Sequence, residues 1–512
     1  MSAAPSEPEK YSIDEMMDRL KGAPSENHED GELVTRPDGS QAIRVRKRKR
    51  RSSQPLKEER HRTRRARIVQ VSAALILFFV AALAIGGAII YANSRPFQQD
   101  LVRKIEQASG AAVELQQFRM NPRTANAGNL SLAWPDGNVL KSLKLRGLTA
   151  EIFPASFLGK AMTGEEVTFG YSVLGLQFPK PGQALRIAPA VPGAAAVRFN
   201  RYRIPILDAT LGDPASPLIQ LTKTEASLSP ENLSGEPQVS LYQGALHIDG
   251  WPKLRLDRAL IGIHGTEADI IGLRVFHETE DRGALEFSGT VAPYQLGRPS
   301  TLDVKLDGFQ LSGIIGPGLG RLISGRIDSV PTEKSNYLSF LPTATPSAAL
   351  DVTFQVAPIS KIEVQGFPFL FALSQILGED PWFQHPVFEG NAGGIIHREG
   401  GVLTLRDLNM ESKGRMALRG EISVAANQTL TGNLQVGLAE AMIADASTSR
   451  LKSMFGPATD GYRWLALNIS GPVSDPEDNF KALFSATAVT PRDSSGPGDA
   501  RRPTFEELTR PK

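Results

Sequence analysis

The feature that most constrains this chain is a stretch of 27 residues, Ile68 to Ser94, with no charged side chain. Its middle reads Ala73-Ala74-Leu75-Ile76-Leu77-Phe78-Phe79-Val80. A helix rises about 1.5 Å per residue, so about 20 such residues cross the roughly 30 Å hydrocarbon layer of a bilayer. A signal peptide has a shorter apolar region, about 7 to 15 residues, and carries it near the N-terminus. A buried helix of a soluble protein is also shorter and shows a polar face. The sequence therefore predicts one transmembrane helix over 68–94 that remains as an anchor.

The flanks orient it. Thirteen Lys and Arg lie between Arg44 and Arg67, against only Glu58 and Glu59, whereas Arg95, Arg103 and Lys104 follow the apolar stretch. The positive-inside rule then puts residues 1–67 in the cytosol and everything after the helix on the far side. Over the whole chain Lys plus Arg (57) nearly balance Asp plus Glu (55), so the totals do not describe a nucleic-acid-seeking protein. Arg46, Lys47, Arg48, Lys49, Arg50, Arg51, Arg64, Arg65 and Arg67 are read as contacts to anionic lipid, at about 1 kcal/mol per charge near the surface. The tail is otherwise rich in Ser, Pro and Glu and reads as disordered. Ser12-Ile13-Asp14-Glu15 has the form of a capping box, and Ile13, Met16, Met17 and Leu20 follow at helical spacing.

Beyond the membrane, Pro96 suits a first helical turn, and Phe97, Leu101, Ile105 and Ala108 share one helical face before Ser109-Gly110. Strand-like alternation then dominates to about residue 485. Met416 to Val424 and Leu430 to Leu438 place apolar residues on even positions around a turn at 425–428, which predicts an antiparallel hairpin with one apolar face. A weak repeat recurs at 143–150, 304–311 and 403–410: two alternating apolar residues, a Gly or Asp (Gly147, Gly308, Asp407), then apolar residues in the opposite phase. A bulge or bend at that position would swap which face is apolar. Two helix-like clusters, 367–377 and 439–455, interrupt the strands, and 486–512 reads as a flexible tail. Gly316-Pro317-Gly318-Leu319-Gly320 reads as a loop, since its spacing is not that of a dinucleotide fingerprint.

Catalytic motifs are missing. The sequence has no G-x-S-x-G, no H-E-x-x-H and no phosphate-binding G-x-x-x-x-G-K-[ST]. With no cysteine, a metal site would need His247, His264, His277, His385 or His397 to converge with carboxylates, and they are scattered. The expectation is a protein that is not an enzyme and needs no cofactor.

The order of segments resembles the AsmA-like family of bacterial envelope proteins. The likeness rests on the apolar helix, the short helix ending at Ser109-Gly110, and Val113-Glu114-Leu115 at the start of the strands. It is strongest over 385–480, where Phe388-Glu389-Gly390 leads into Leu403 to Ser412, Leu418-Arg419-Gly420-Glu421-Ile422 and a closing Ile469-Ser470-Gly471-Pro472-Val473-Ser474-Asp475-Pro476. The resemblance implies a mostly β body over 95–485, a curled antiparallel sheet forming an elongated apolar groove, with a few short helices. It also implies anchorage in the inner membrane, a periplasmic body, phospholipid as ligand and a part in outer-membrane biogenesis, with outer-membrane or other envelope proteins as further partners and no specific nucleic acid. Leu418, Ile422, Val424, Leu434, Val436 and Leu438 share one face and are the nominated groove lining. Two other readings stand beside lipid shuttling: an assembly scaffold with a closed core, and a transmembrane signalling regulator working through its cytosolic tail.

Overall fold

The computed structural model describes residues 32–44, 54–154, 162–177, 197–230, 236–265, 267–280, 282–292, 297–330, 336–341, 344–444 and 449–487. The predicted helix near 12–20, the run Arg46 to Arg51, the side chains of Arg64, Arg65 and Arg67, and the tail from 488 lie outside them. Contacts divide the chain into two units, Met1–Leu83 and Ala84–Lys512.

In the first unit the tail that reads as mostly disordered also contains a strand pair. Glu32–Thr35 and Gln41–Arg44 pair antiparallel. The turn between them is made by Pro37-Asp38-Gly39, with Gly39 at φ 82° and the Asp38 carboxylate accepting from the Ser40 N–H at 3.2 Å. A helix then runs over Gln54–Ala92, well before the apolar boundary. Pro55 fits its first turn, and the Gln, Leu, Lys, Glu, Arg and Ala that follow are strong helix formers. Its segment Val69–Ala92 is long and apolar enough to cross a membrane.

The second unit is mostly β. The helix Arg95–Ser109 opens it with Pro96 in the first turn, and Gly110 ends it in the left-handed conformation at φ 67°, as the sequence predicts. Strands then pair into one extended sheet, mostly with the next strand in the chain and otherwise with a strand two or three further along. The exception in direction is Met162–Leu176, which pairs parallel with Val197–Asp213. Two short strands, Gln238–Tyr242 and Ala245–Ile248, are halves of one broken strand. Both pair with Ser216–Ser229 on one side and Leu254–His264 on the other, closing a local ring of hydrogen bonds. No ladder joins the first strands, Ala112–Gln116 and Arg119–Met120, to the last, Tyr462–Ser470 and Glu477–Asp478, among the described residues. The predicted hairpin forms in the expected register, Met416 opposite Leu438 and Val424 opposite Leu430.

With one correction, the repeat marks positions of positive φ, one of which, Asp407, is a bulge against both neighbouring strands. Gly147, Gly308 and Asp407 all adopt positive φ (66°, 57° and 52°). The phase of the apolar residues changes there, but their face does not. Leu302, Val304 and Leu306 before Gly308 and Phe309 and Leu311 after it are all buried; so are Leu403, Leu405, Leu408 and Met410 around Asp407. The extra residue turns the strand by half a pleat, so a slip in sequence phase keeps one physical face apolar. The device is also used where no repeat was read. Gln117 (φ 56°) sits between Leu115 and Phe118, and Gly366 (φ 78°) between Val364 and Phe367. The predicted helix at 367–377 is Pro368–Ile376, and 439–455 splits into a 3-10 turn, Glu440–Ile443, and a helix, Ser449–Met454. Gly316-Pro317-Gly318-Leu319-Gly320 is not a loop: it belongs to a helical stretch, Ser312–Leu319, kinked at Gly316, whose φ of 82° only glycine adopts readily.

Candidate functional site

Two apolar clusters lie along the second unit. The larger runs from Leu254 to Phe484 and is filled with side chains. All six nominated groove residues belong to it: Leu418, Ile422, Val424, Leu434, Val436 and Leu438 are 0–6% exposed. They are packed into this cluster, where the sequence reading set the lining of an open groove, and Val424 also borders a second cavity. The cause is what joins the cluster: Ile314 and Leu319, Leu370 and Leu373, Leu451, and Phe480 and Phe484 are buried with the strand residues. They come from four helical segments that give the apolar face a cover. Asp478 fastens two of these segments. Its carboxylate accepts from the Phe369 N–H at 2.6 Å and the Phe480 N–H at 3.0 Å, answering donors that the first turn of a helix leaves free. Burial pushes the Asp478 carboxyl above the usual carboxylate range, and the two N–H groups oppose that rise.

The smaller cluster is built differently. Strands Thr124–Ala133, Leu140–Ile152, Met162–Leu176 and Val197–Asp213 present their apolar face to a single helix, Arg95–Ser109. Between helix and sheet lies a cavity of about 640 Å³, within the range of small-molecule sites, about 300–1,000 Å³. Leu101, Ile105 and Ala108 line it from the helix, and Leu130, Leu145, Phe169 and Phe199 from the sheet. Its farther wall, with Leu148, Ile204 and Leu228, is only half-buried. Polar groups on the lining are few: Lys104, which pairs with Asp100 at 2.9 Å, Ser109, and Tyr202, whose phenol burial pushes above its ordinary pKa and so keeps neutral.

The helix is held at both ends. Asn93, just before it, accepts from the Met120 N–H at 2.8 Å and donates Nδ2 to the carbonyls of Met120 and Ile89 at 2.7 Å. At its far end the Trp134 indole donates to the Ser109 carbonyl at 2.9 Å. These bonds fix a roof over the cavity instead of letting it collapse onto the sheet. Sequence reading found the roof helix but not the cavity; the signal available was the small residues Ala125, Ala127 and Ala150 on the inner face, which leave volume unfilled.

Elsewhere the polar side chains form surface pairs. His264 lies between Glu236 at 2.9 Å and Asp269 at 3.1 Å, and His397 contacts Asp351 at 3.0 Å, which also pairs with Arg406 at 2.6 Å. No group of three His, Asp or Glu residues arranged to hold a metal occurs among the described residues. Comparison of the chain with protein-family models, with curated proteins and with solved structures found no match.

Proposed function

We propose that this chain is a membrane-anchored, non-enzymatic protein that takes phospholipid acyl chains into the cavity beneath Arg95–Ser109 and passes lipid between membranes, in support of outer-membrane biogenesis. The observation that carries the reading is the cavity itself: apolar on almost every side, roofed by a fastened helix and half-buried along Leu148, Ile204 and Leu228. Water gains little from such a lining, and an acyl chain entering it gains about 0.8 kcal/mol for each methylene buried. The spanning segment Val69–Ala92 ends directly before this part of the chain, which suits a protein that meets lipid at a bilayer. The AsmA-like pattern over 385–480 supports the same reading, as do the inner-membrane anchorage and periplasmic body expected from the charge flanks.

Photo-crosslinking in cells tests it. A benzophenone amino acid in place of Leu148 should capture phospholipid that is recovered with the full chain, whereas the same group in place of Thr149, exposed on the outer face of that strand, should not. Equal capture at both positions, or none at Leu148, rejects the lipid reading. One observation favours a second function for the rest of the body. The cluster from Leu254 to Phe484 is mostly filled with side chains, which suits a scaffold for envelope assembly.

A further inference from the structure

A second cavity, of about 960 Å³, has a different character. Lys253, Arg321 and Arg398 line it, against a single carboxylate, Glu278. Among the described residues none of these three cations makes an ion pair, although several such pairs form elsewhere on the sheet. Three positive charges with one negative in a concave, low-dielectric wall concentrate a positive potential that mobile counter-ions alone would otherwise answer.

Arg398 is held as a rigid fork. Its guanidinium stacks on the Trp251 ring at 4.4 Å and donates Nη2 to the Gly250 carbonyl. That fixes the plane of the group, and no carboxylate occupies its other N–H edges. His247, on the same wall, has a buried Nδ1 with no hydrogen-bond partner among the described residues. A buried polar atom without a protein partner costs about 1–3 kcal/mol, so a ligand that could hydrogen-bond His247 would be favoured there. Ile315, Leu403 and Val424 supply an apolar side to the same space.

We infer that this cavity binds a phosphate-bearing anion, with Arg398 as the planar fork and Lys253 and Arg321 as flanking charges. A fixed guanidinium matches two phosphate oxygens at once, and the excess of two positive charges over Glu278 matches a phosphate dianion better than a single carboxylate. The phosphate could arrive on a lipid or free in solution, and the apolar side favours the lipid. The site shares no lining residue with the cavity beneath Arg95–Ser109, so it goes beyond the acyl-chain reading and stands or falls separately.

Titration calorimetry on the full chain in neutral detergent separates the cases. The probes are dihexanoyl phosphatidic acid, dihexanoyl phosphatidylcholine and inorganic phosphate. The proteins are the native chain, Lys253→Gln with Arg321→Gln, and Arg398→Lys. Every protein keeps the basic tail, so differences between them report the cavity. Loss of the two flanking charges should weaken phosphatidic acid about tenfold, with phosphatidylcholine unaffected. An equal loss for inorganic phosphate assigns the site to the free anion; a loss confined to phosphatidic acid assigns it to the lipid. Binding that is the same in the native chain and the double variant overturns the inference. So does a loss of phosphatidylcholine binding in the double variant as large as that of phosphatidic acid. Lys253 and Arg321 are exposed, so the double variant tests the site even where Arg398→Lys fails to fold.

Discussion

The two ends of the sheet treat the same apolar face in opposite ways. From Leu254 to Phe484, four helical segments bring Ile314, Leu370, Leu451, Phe480 and their neighbours down onto the strands, and the interior is filled. From Ala92 to Phe199, one helix spans the face and leaves a cavity that alanines fail to fill. Strand patterning is alike in both. The cover over the sheet, and not the sheet, decides whether the apolar surface becomes core or cavity.

The comparison breaks most sharply at buried positions. Val436→Asp puts a charge into the filled end and should cost more than about 4 kcal/mol, enough to unfold the domain, read as loss of the cooperative thermal transition. Leu148→Asp, on the half-buried wall, should leave a cooperative transition and abolish lipid crosslinking from a benzophenone amino acid placed at Ile204 of the same wall. If both unfold alike, the two ends do not differ as described. Phe480→Ala should cost about 3–5 kcal/mol by denaturant melt, and Leu148→Ala under about 1 kcal/mol, because the wall already faces space.

Asp478 gives a smaller and pH-dependent test. Asp478→Ala leaves the Phe369 and Phe480 N–H groups without a partner and should cost about 2 kcal/mol, whereas Asp478→Asn keeps an acceptor and should cost less. Burial raises the folded carboxyl above its unfolded value of 3.8, so the folded chain holds the proton more tightly. The contribution of that proton is present below about pH 3.8 and is lost as pH rises through the folded pKa. The melting temperature of the native chain relative to Asp478→Asn should therefore fall over that window. A difference that does not change with pH would show that the two N–H bonds cancel the effect of burial, and one that rises would show that they outweigh it. The smallest effect belongs to the backbone bends. Gly308→Ala should cost about 1 kcal/mol and Asp407→Gly should stabilise by a similar or smaller amount, since only glycine takes positive φ without strain.

Local features were the legible ones. The helix from Arg95 to Ser109, the hairpin from Met416 to Leu438 and the backbone bends at Gly147, Gly308 and Asp407 follow from spacing, because each is fixed by residues a few positions apart. Gln117 was missed because it takes positive φ without being Gly or Asp. The groove lining was misplaced for a deeper reason. Period-two alternation says that Leu418 and Val436 face inward, but whether that space is filled depends on Leu370 and Phe480, tens of residues away in the chain. The cavity beneath Arg95–Ser109 depends likewise on the parallel strand Val197–Asp213 and the tethers of Asn93 and Trp134, which no local pattern announces.

The Asp478 bond to the Phe369 N–H spans 109 residues, whereas most strands pair with a sequence neighbour. Synthesis runs from the N-terminus, so the hairpins can close as they emerge, but the filled end must wait for Phe480 and Phe484. Until then the inner face around Val436 is uncovered. A ribosome stalled, or a protease cut, shortly before residue 478 would leave a nearly complete sheet with its greasiest surface bare, making the last turn of chain the checkpoint between a finished molecule and an aggregate.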